Sequence, residues 1–337
     1  MHFCLRSKLG RLTRFAFAAF AFGLVLAGAG CKSTHVGPDA LGGATGSGGG
    51  AVGGAAGSGA MGGTAGGGST GNDGSAGSAG SDPCTTALFC DDFEKYAASA
   101  APTTPWRAST NMGTVTVDGA FGHSGAQSIK MTTQARTTDG IKTAFIELAG
   151  DGVFPVAGNV FYGRMMFYLD AAPTTSVHWT LIQGAGVVPG ATYHALYRYG
   201  GQLPVMQGAT FVGSQLMANY DTPDSYPIGS GTPPASDCWQ HADKVVVPVG
   251  RWACVEWKFD GPNNRMNLWL DGAAVPSLTM NGTGQGCVNQ PATPPFTWTA
   301  PNFDRLDLGW ESYQTDGVRT IHVDDVVISK TQVGCPP

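Results

Sequence analysis

Carboxylates cluster at both ends of the strand-rich part of the sequence. Asp324 and Asp325 lie within the β-branched run Thr320–Ser329, and Asp91-Asp92-Phe93-Glu94 follows Cys90. Successive side chains of a strand point to opposite faces, so one of the two adjacent aspartates is expected to face inward or along a rim. Because a buried carboxylate is costly unless it is paired or bound to a metal, we expect the two clusters to be neighbours that hold calcium between them. The alternative is two solvated acidic strand ends.

A second source of oxygen ligands is the loop Gly122-His123-Ser124-Gly125-Ala126. It approaches the nucleophile-elbow pattern of serine hydrolases, but Ala126 replaces the last glycine and a strand rather than a helix follows. The loop is better interpreted as a calcium loop that offers Ser124 and backbone carbonyls beside Glu94. The predicted ligands of this structural calcium ion are Glu94, Ser124, Asp324 and Asp325.

Polar aromatic side chains recur along the predicted strands. In Val160–Asp170, alternation places Phe161 and Phe167 on one face and Tyr162 on the other. Aromatic rings stack on the C–H faces of pyranoses, and arginine binds hydroxyls or carboxylates. Any one of these rings is alternatively a core or rim residue, but their recurrence favours a sugar-binding groove. The predicted carbohydrate-binding residues are Tyr162, Arg164, Tyr168, Tyr197, Tyr199 and Trp310.

The elements that must position these residues are strands. From Pro83 onward, short β-branched and aromatic runs alternate with Gly, Pro, Asn and Asp, and no segment has a helical period. This pattern predicts an all-β antiparallel sandwich of the jelly-roll type. Asp271-Gly272 predicts a hairpin turn. In Trp252–Asp260, Glu256 and Lys258 are expected to form the wet face of a sheet whose other side is buried.

The first 83 residues have a different organisation. A basic segment precedes an apolar run, Phe15–Ala29, which is followed by Gly30-Cys31. The run is shorter than the roughly 20 residues of a spanning helix, and small residues precede the cysteine, so residues 1–30 are predicted to be a signal peptide. Lipidation of Cys31 would give an outer-membrane or cell-surface lipoprotein anchored to the membrane by lipid, with plain secretion as the alternative. Residues 31–83 are a Gly/Ala/Ser-rich linker, and residues 84–337 are the β domain.

Six cysteines lie in the domain, an even number that predicts disulfides in an exported protein. They are Cys84, Cys90, Cys238, Cys254, Cys287 and Cys335. If the terminal strands are adjacent, Cys335 is expected to bond Cys84 or Cys90. Three of the six lie near the domain ends and three in the middle, so full pairing requires at least one bond between the two groups.

Composition excludes several function classes. The net charge of −5 and the few Lys and Arg residues leave no basic stripe for phosphates, so nucleic acid is not an expected partner. The HExxH motif of zinc proteases is absent, as is the ExDxxE arrangement of laminarinase-type β-sandwich hydrolases.

Several short motifs resemble one known family. They are Phe89-Cys90-Asp91-Asp92-Phe93-Glu94, His123-Ser124-Gly125 with Ser128-Ile129-Lys130, Gly309-Trp310-Glu311, and Val323-Asp324-Asp325-Val326-Val327-Ile328-Ser329 with Gly334-Cys335. Together they resemble the core domain of cellulose-induced secreted fungal proteins and their bacterial relatives. The resemblance spans Cys84 to Cys335. It implies a concanavalin A-like β-jelly roll related to glucuronan and alginate lyases, with calcium at Glu94, Ser124 and one of Asp324 or Asp325.

The same resemblance implies a catalytic cleft with His178, Gln183, Arg198 and Tyr313. In β-elimination of a uronate, Arg198 and Gln183 would neutralise the carboxylate, His178 would act as base and Tyr313 as acid. His178 and Gln183 are five positions apart, so they share a strand face only if a bulge intervenes. We expect a polysaccharide-binding surface lipoprotein first and a polysaccharide lyase as its alternative; a glycoside hydrolase and a structural envelope protein rank below both.

Overall fold

The computed structural model describes residues 82–150, 152–222, 236–288 and 297–336. The predicted signal peptide, Cys31 and most of the predicted linker lie outside these residues. Within them the chain forms seventeen strands and three short 3₁₀ turns, Pro83–Thr85, Ala157–Asn159 and Pro276–Leu278. No helix long and apolar enough to cross a membrane occurs in the described part of the chain.

The strands, in chain order, are β1 (Phe89–Asp91), β2 (Trp106–Asn111), β3 (Gly113–Asp118), β4 (Ser128–Thr133), β5 (Lys142–Ala149), β6 (Val160–Leu169), β7 (Trp179–Val187), β8 (His194–Gln207), β9 (Thr210–Asp221), β10 (Asp237–Val246), β11 (Trp252–Asp260), β12 (Arg265–Leu270), β13 (Ala273–Ala274), β14 (Met280–Asn281), β15 (Gly286–Val288), β16 (Asn302–Ser312) and β17 (Arg319–Ser329).

These strands form two antiparallel sheets. The first sheet has the order β13-β12-β11-β6-β17-β4-β3, with β1 beside β17 and β14 beside β12. The second sheet has the order β15-β10-β9-β8-β7-β16-β5-β2. The predicted all-β antiparallel sandwich of the jelly-roll type is therefore confirmed. Five strands, β2, β10 and the short β13, β14 and β15, lie outside the runs from which strands were predicted.

The core lies between the sheets and is built by alternation. On β6, Phe161, Met165 and Phe167 are buried in the core, as expected for its apolar face. From the second sheet, Trp179 and Trp310 enter the same core, where their rings stack with centroids 4.7 Å apart. Burial of such large apolar side chains is the main favourable contribution to folding.

The first and last strands of the domain are neighbours, as predicted. Phe89, Cys90 and Asp91 pair antiparallel with Ile328, Val327 and Val326. Asp91 is buried and accepts hydrogen bonds from the Tyr96 hydroxyl (2.7 Å) and from Trp106 Nε1 (2.9 Å). The inward carboxylate of the first cluster thus has protein partners.

The disulfides differ in part from the prediction. The bonded pairs are Cys84–Cys90, Cys238–Cys287 and Cys254–Cys335. The expectation that Cys335 bonds Cys84 or Cys90 is wrong, because the chain after β17 turns across the outside of the first sheet towards β11. The required bond between an end cysteine and a middle cysteine does exist, and it is Cys254–Cys335.

The same terminal segment changes the outer face of β11. Glu256 is fully buried and accepts hydrogen bonds from Val333 N (2.6 Å), Gln332 Nε2 (3.1 Å) and Gly334 N (3.2 Å). The prediction that Glu256 lies on a wet face is therefore wrong, since the C-terminal segment covers it. The Asp271-Gly272 turn, in contrast, has both residues at positive φ, 48° and 77°, as a two-residue hairpin turn requires.

Candidate functional site

A row of polar side chains crosses the second sheet on the face that points away from the first sheet, which we call the open face. Directly opposed residues on neighbouring strands give the order Arg107, Glu147, Asp307, Gln183, Arg198, Asn219 and Trp239. We call this the polar row. It runs perpendicular to the strands over β2, β5, β16, β7, β8, β9 and β10. Asp307, Gln183, Arg198 and Asn219 are at most 5% exposed, so the middle of the row is recessed.

Hydrogen bonds link the residues in the middle of the polar row. Gln183 Nε2 donates to Asp307 Oδ2 (2.7 Å), and Gln183 Oε1 accepts from Arg198 Nε (2.7 Å). The Arg198 guanidinium also donates to Asp221 Oδ2 (2.5 Å) and to Glu311 Oε1 (3.4 Å). The charges of this buried network are paired with one another, and removal of one member would leave another unpaired.

All four predicted catalytic residues meet at this network. The Tyr313 hydroxyl donates to Glu311 Oε1, and the Tyr313 ring lies 5.0 Å from the His178 ring, centroid to centroid. Arg198 lies over the same tyrosine ring at 5.7 Å. We call His178, Gln183, Arg198, Glu311 and Tyr313 the central cluster. Glu311 accepts hydrogen bonds from both Arg198 and Tyr313. It stands beside Trp310 in one of the resemblance motifs, but it was not among the predicted catalytic residues.

A bulge explains how His178 and Gln183 share the open face. Between β7 and β8, Thr180 pairs with Gly200 and Ile182 with Tyr199, so Leu181 is an extra residue on β7. The extra residue reverses the alternation beyond it. Gln183 therefore points to the open face, as does His178 just before the strand, whose backbone N donates to Gln314 Oε1 (2.7 Å).

Burial shifts the titration of the groups on the open face. Burial lowers the pKa of His178 to about 4. The negative charge of Asp237 raises this pKa in part, and the positive charge of Arg198 lowers it further. The imidazole is therefore neutral at neutral pH and can accept a proton. Burial also raises the pKa of Asp307 and of Asp221, each to about 6. Burial, together with the charge of Glu311, raises the pKa of Tyr313 well above its ordinary value, so its hydroxyl stays protonated.

Two recesses flank the central cluster on the open face. The first, of about 230 Å³, has Phe145 as its apolar wall and includes Ser109, Glu147, Arg305 and Glu311. We call it the Phe145 recess. The second, of about 200 Å³, is lined by His178, Gln202, Met217, Asp237 and Trp239. We call it the Trp239 recess. We call the polar row together with its two recesses the groove.

Three predicted sugar-binding aromatics are not on this face. Tyr197, Tyr199 and Trp310 are at most 2% exposed and belong to the core between the sheets. Tyr197 packs against Phe259 and Phe303 with ring centroids at 5.6 and 5.3 Å. Side chains do alternate along β8 and β16, but these three residues lie on the face of their strands that points into the core. They therefore cannot contact a sugar on the open face.

The other three predicted sugar-binding residues lie on the outside of the first sheet. Tyr162 packs near Trp269, and Arg164 is buried and donates to Gly334 O (3.3 Å). Tyr168 packs against Phe121 with ring centroids at 4.9 Å. β6 belongs to the first sheet, so the sandwich separates these residues from the central cluster. They do not contribute to the groove.

The predicted calcium ligands gather around the loop at 121–127. Glu94 Oε1 accepts from Ala126 N (2.8 Å) and Gln127 N (2.7 Å), and Asp324 Oδ2 accepts from His123 N (2.7 Å) and Ser124 N (3.2 Å). Burial, and next the charge of Asp325, raise the pKa of Asp324 to about 7. No group of three or more His, Cys, Asp or Glu side chains placed to hold a metal ion is found among the described residues.

Asp324 and Asp325 do not point to opposite faces. Asp325 has a φ of 48° in a bulge of β17 against β6, so its carboxylate also turns to the loop. There Asp325 Oδ1 accepts from Ser124 Oγ (2.5 Å), and its Oδ2 contacts His123 Nδ1 (2.6 Å). The strict alternation assumed for this strand is wrong, and the bulge brings both acids to one side. Carboxylate and hydroxyl oxygens are the donor types that calcium prefers, and in this structure Glu94 and Asp324 each accept hydrogen bonds from two backbone N–H groups of the loop.

Comparison with known proteins places the domain in a family. Residues 92–331 match the family model described as polysaccharide lyase-like, Cip1-like core domain. No curated protein gives a significant match. Among solved structures, the cellulose-induced protein Cip1 is 23% identical, with 74% of this chain and 100% of that chain covered and a TM-score of 0.46. The endo-β-1,4-glucuronan lyase of the fungus Trichoderma reesei is 16% identical, with 73% and 96% covered and a TM-score of 0.47.

Proposed function

The chain belongs to the Cip1-like core-domain family of polysaccharide lyase-like proteins, and we propose that it is a polysaccharide-binding protein whose groove is the open face of the second sheet. The observation that carries this proposal is the polar row, which crosses the strands between two recesses. Side-chain amides, carboxylates and guanidinium groups match the donors and acceptors of sugar hydroxyls. A polymer lying along the row would contact both recesses at once.

Blocking one recess tests this proposal. Ser109 lines the Phe145 recess from the edge strand β2, and a bulky side chain there would fill the recess without entering the core. Ser109→Trp should abolish retardation in polysaccharide-containing gels. The matched control is Thr116→Trp on β3, the edge strand of the first sheet, which should bind as the wild type does. Equal binding by Ser109→Trp and the wild type would contradict the proposed groove.

A second candidate function, uronate β-elimination, is favoured by the assembly of His178, Gln183, Arg198 and Tyr313 in one cluster. His178 would take the C5 proton, the C4–O bond would break as the C4–C5 double bond forms, and the Tyr313 hydroxyl would give its proton to the leaving oxygen. Binding ranks first because the Arg198 nitrogens already donate to Gln183, Asp221 and Glu311. A substrate carboxylate would have to displace one of these acceptors.

The lyase reaction has a direct assay. Elimination leaves an unsaturated sugar end that absorbs ultraviolet light, so the domain is incubated with glucuronan, alginate and pectate and absorbance is followed. A lyase should lose activity in both His178→Ala and Tyr313→Phe. Absence of absorbing ends with every polymer, or full activity in both variants, would contradict the lyase function and leave the binding function in place.

Calcium at the loop 121–127 belongs to the same proposal. Glu94, Ser124, Asp324 and Asp325 supply hard oxygen donors around one loop, and a divalent cation there would stabilise the adjacent acids of β17. The proposed role is structural, since the ion would tie the loop and β1 to the last strand. It supplies no step of the chemistry on the open face.

Export and lipid anchoring complete the proposal. The domain's three disulfides fit an oxidising, extracellular compartment. The finer proposal, lipidation at Cys31 with the linker holding the domain off an outer membrane or cell surface, is supported by the basic and apolar pattern before that cysteine. Cys31→Ala should release the protein from the membrane fraction. Failure of the wild type to incorporate labelled fatty acid would contradict lipidation.

A further inference from the structure

The Trp239 indole lies over a glycine of the neighbouring strand. Trp239 on β10 pairs directly with Gly286 on β15. A Cβ atom added to Gly286 would stand 2.6 Å from Cζ2 and 3.1 Å from Cε2 of the indole, so the ring occupies the space that a side chain would need. The ring can lie along the sheet only because this partner is glycine. Trp239 is half-buried, and its uncovered part faces the recess.

The other residues of the Trp239 recess provide a polar rim. Asp237 accepts a hydrogen bond from Asn219 Nδ2 (2.5 Å), which fixes the carboxylate at the edge of the recess. Gln202 Oε1 lies 3.3 Å from Nε2 of His241, which orients the amide. An aromatic surface beside a few oriented polar groups is the usual composition of a sugar site, because the ring takes the C–H face and the polar groups take the hydroxyls.

The lining of the Trp239 recess is acidic. Its described lining residues include the carboxylate of Asp237 and contain no lysine or arginine. The arginine of the neighbouring central cluster, Arg198, is bonded to the carboxylates of Asp221 and Glu311. A uronate held here would place its carboxylate beside Asp237 without a cation to neutralise it, and like charges at short range in a recess repel.

We propose that the Trp239 recess is a subsite for an uncharged pyranose, stacked on the indole and hydrogen-bonded to Asp237 and Gln202. The inference deepens the proposed polysaccharide groove and rests on it. It implies that the bound polymer carries neutral sugars at the β10 end of the groove, whatever sugar faces the central cluster.

Affinity measurements on two polymer classes test the subsite. The full-length protein and its variants are run through gels that contain a neutral polymer, galactomannan or hydroxyethyl cellulose, or an anionic one, glucuronan or alginate. The wild type should bind a neutral polymer. Trp239→Ala should weaken that binding by about tenfold, which corresponds to about 1.4 kcal/mol of lost stacking. Trp239→Phe keeps an aromatic face and should retain most of the affinity.

The charge is tested separately with Asp237→Asn, which preserves size and the acceptor for Asn219. It should strengthen binding of glucuronan or alginate at low salt, and added salt should reduce the difference. Thermal melts establish which variants are folded. The preference of the wild type for neutral over anionic polymer is measured without any variant, so it tests the subsite even if a variant does not fold. Binding of neutral polymer that is unchanged in Trp239→Ala, or a wild type that binds only uronate polymers, overturns the subsite while the groove stands. A wild type that binds no polymer at all contradicts the groove and the subsite with it.

Discussion

Replacing Asp307 by asparagine should change how the stability of the domain depends on pH. Asp307 is 3% exposed and lies between Gln183 and Arg305, which donates from Nε to Oδ2 at 3.2 Å. Burial raises the pKa of this carboxyl from 3.8 to about 6, although Arg305 and Gln183 act in the opposite direction. The folded state therefore binds the proton more tightly than the unfolded state does.

The sign and size of the effect follow from linkage. A raised carboxyl pKa means that ionised Asp307 destabilises the fold above pH 6, and that this penalty disappears as pH falls towards 3.8. A difference of about two pKa units, at about 1.4 kcal/mol each, gives about 3 kcal/mol. Asparagine cannot ionise, so Asp307→Asn avoids the penalty. Its free energy of unfolding relative to the wild type should rise by about 2.5 kcal/mol from pH 4 to pH 8, because part of the penalty is already present at pH 4.

Thermal melts of both proteins at several pH values measure this difference. For a domain of this size, about 2.5 kcal/mol corresponds to roughly 5–10 °C in Tm. Subtracting the wild-type profile from that of the variant cancels the contributions of His178 and Asp221, because both residues titrate in both proteins. Asp243→Asn, at an exposed position on β10, is the matched control and should keep the wild-type profile. A Tm difference between Asp307→Asn and wild type that stays constant from pH 4 to pH 8 would refute the reasoning.

Three further outcomes are expected. Chelation of calcium should lower the Tm of the wild type but not that of Glu94→Ala. An ion bound only by the folded state adds about 2.7 kcal/mol to the free energy of unfolding at a hundredfold excess over its Kd. Equal melts of the wild type with and without chelator would exclude the site. Removing the Cys254–Cys335 disulfide, which spans 81 residues, should lower the free energy of unfolding by about 4 to 5 kcal/mol. Removing the Cys84–Cys90 disulfide, which spans 6 residues, should lower it by about 2 kcal/mol, and denaturant titrations compare the two losses. Equal losses would exclude the loop-entropy account. Tyr162→Ala and Tyr168→Ala should leave polysaccharide binding unchanged, because both residues lie on the first sheet; loss of retardation in gels would move the binding site to that sheet.

The identity of several candidate site residues was predictable from the sequence, but their arrangement in the fold was less so. His178, Gln183, Arg198 and Tyr313 were chosen through the family resemblance, and they do meet. Glu311 was not predicted to be catalytic, because a single carboxylate next to a core tryptophan has no distinctive spacing. Trp239 was missed because β10 alternates weakly, and its significance depends on Gly286, which is distant in sequence.

The sequence by itself determined the period of the strands, the turn at Asp271-Gly272, the pairing of the terminal strands and the oxidised state of the cysteines. The strand period, the turn and the cysteine state depend on local propensity and composition, whereas the pairing of the terminal strands was inferred from the carboxylate clusters at both ends of the domain. Which face of each strand meets the opposite sheet was decided only by the tertiary structure, because alternation defines two faces without saying which is inward. Single extra residues then reverse the assignment, as the bulges at Leu181 and Asp325 do. The partner of Cys335 likewise depends on the path of the last residues over β11, which no local pattern specifies.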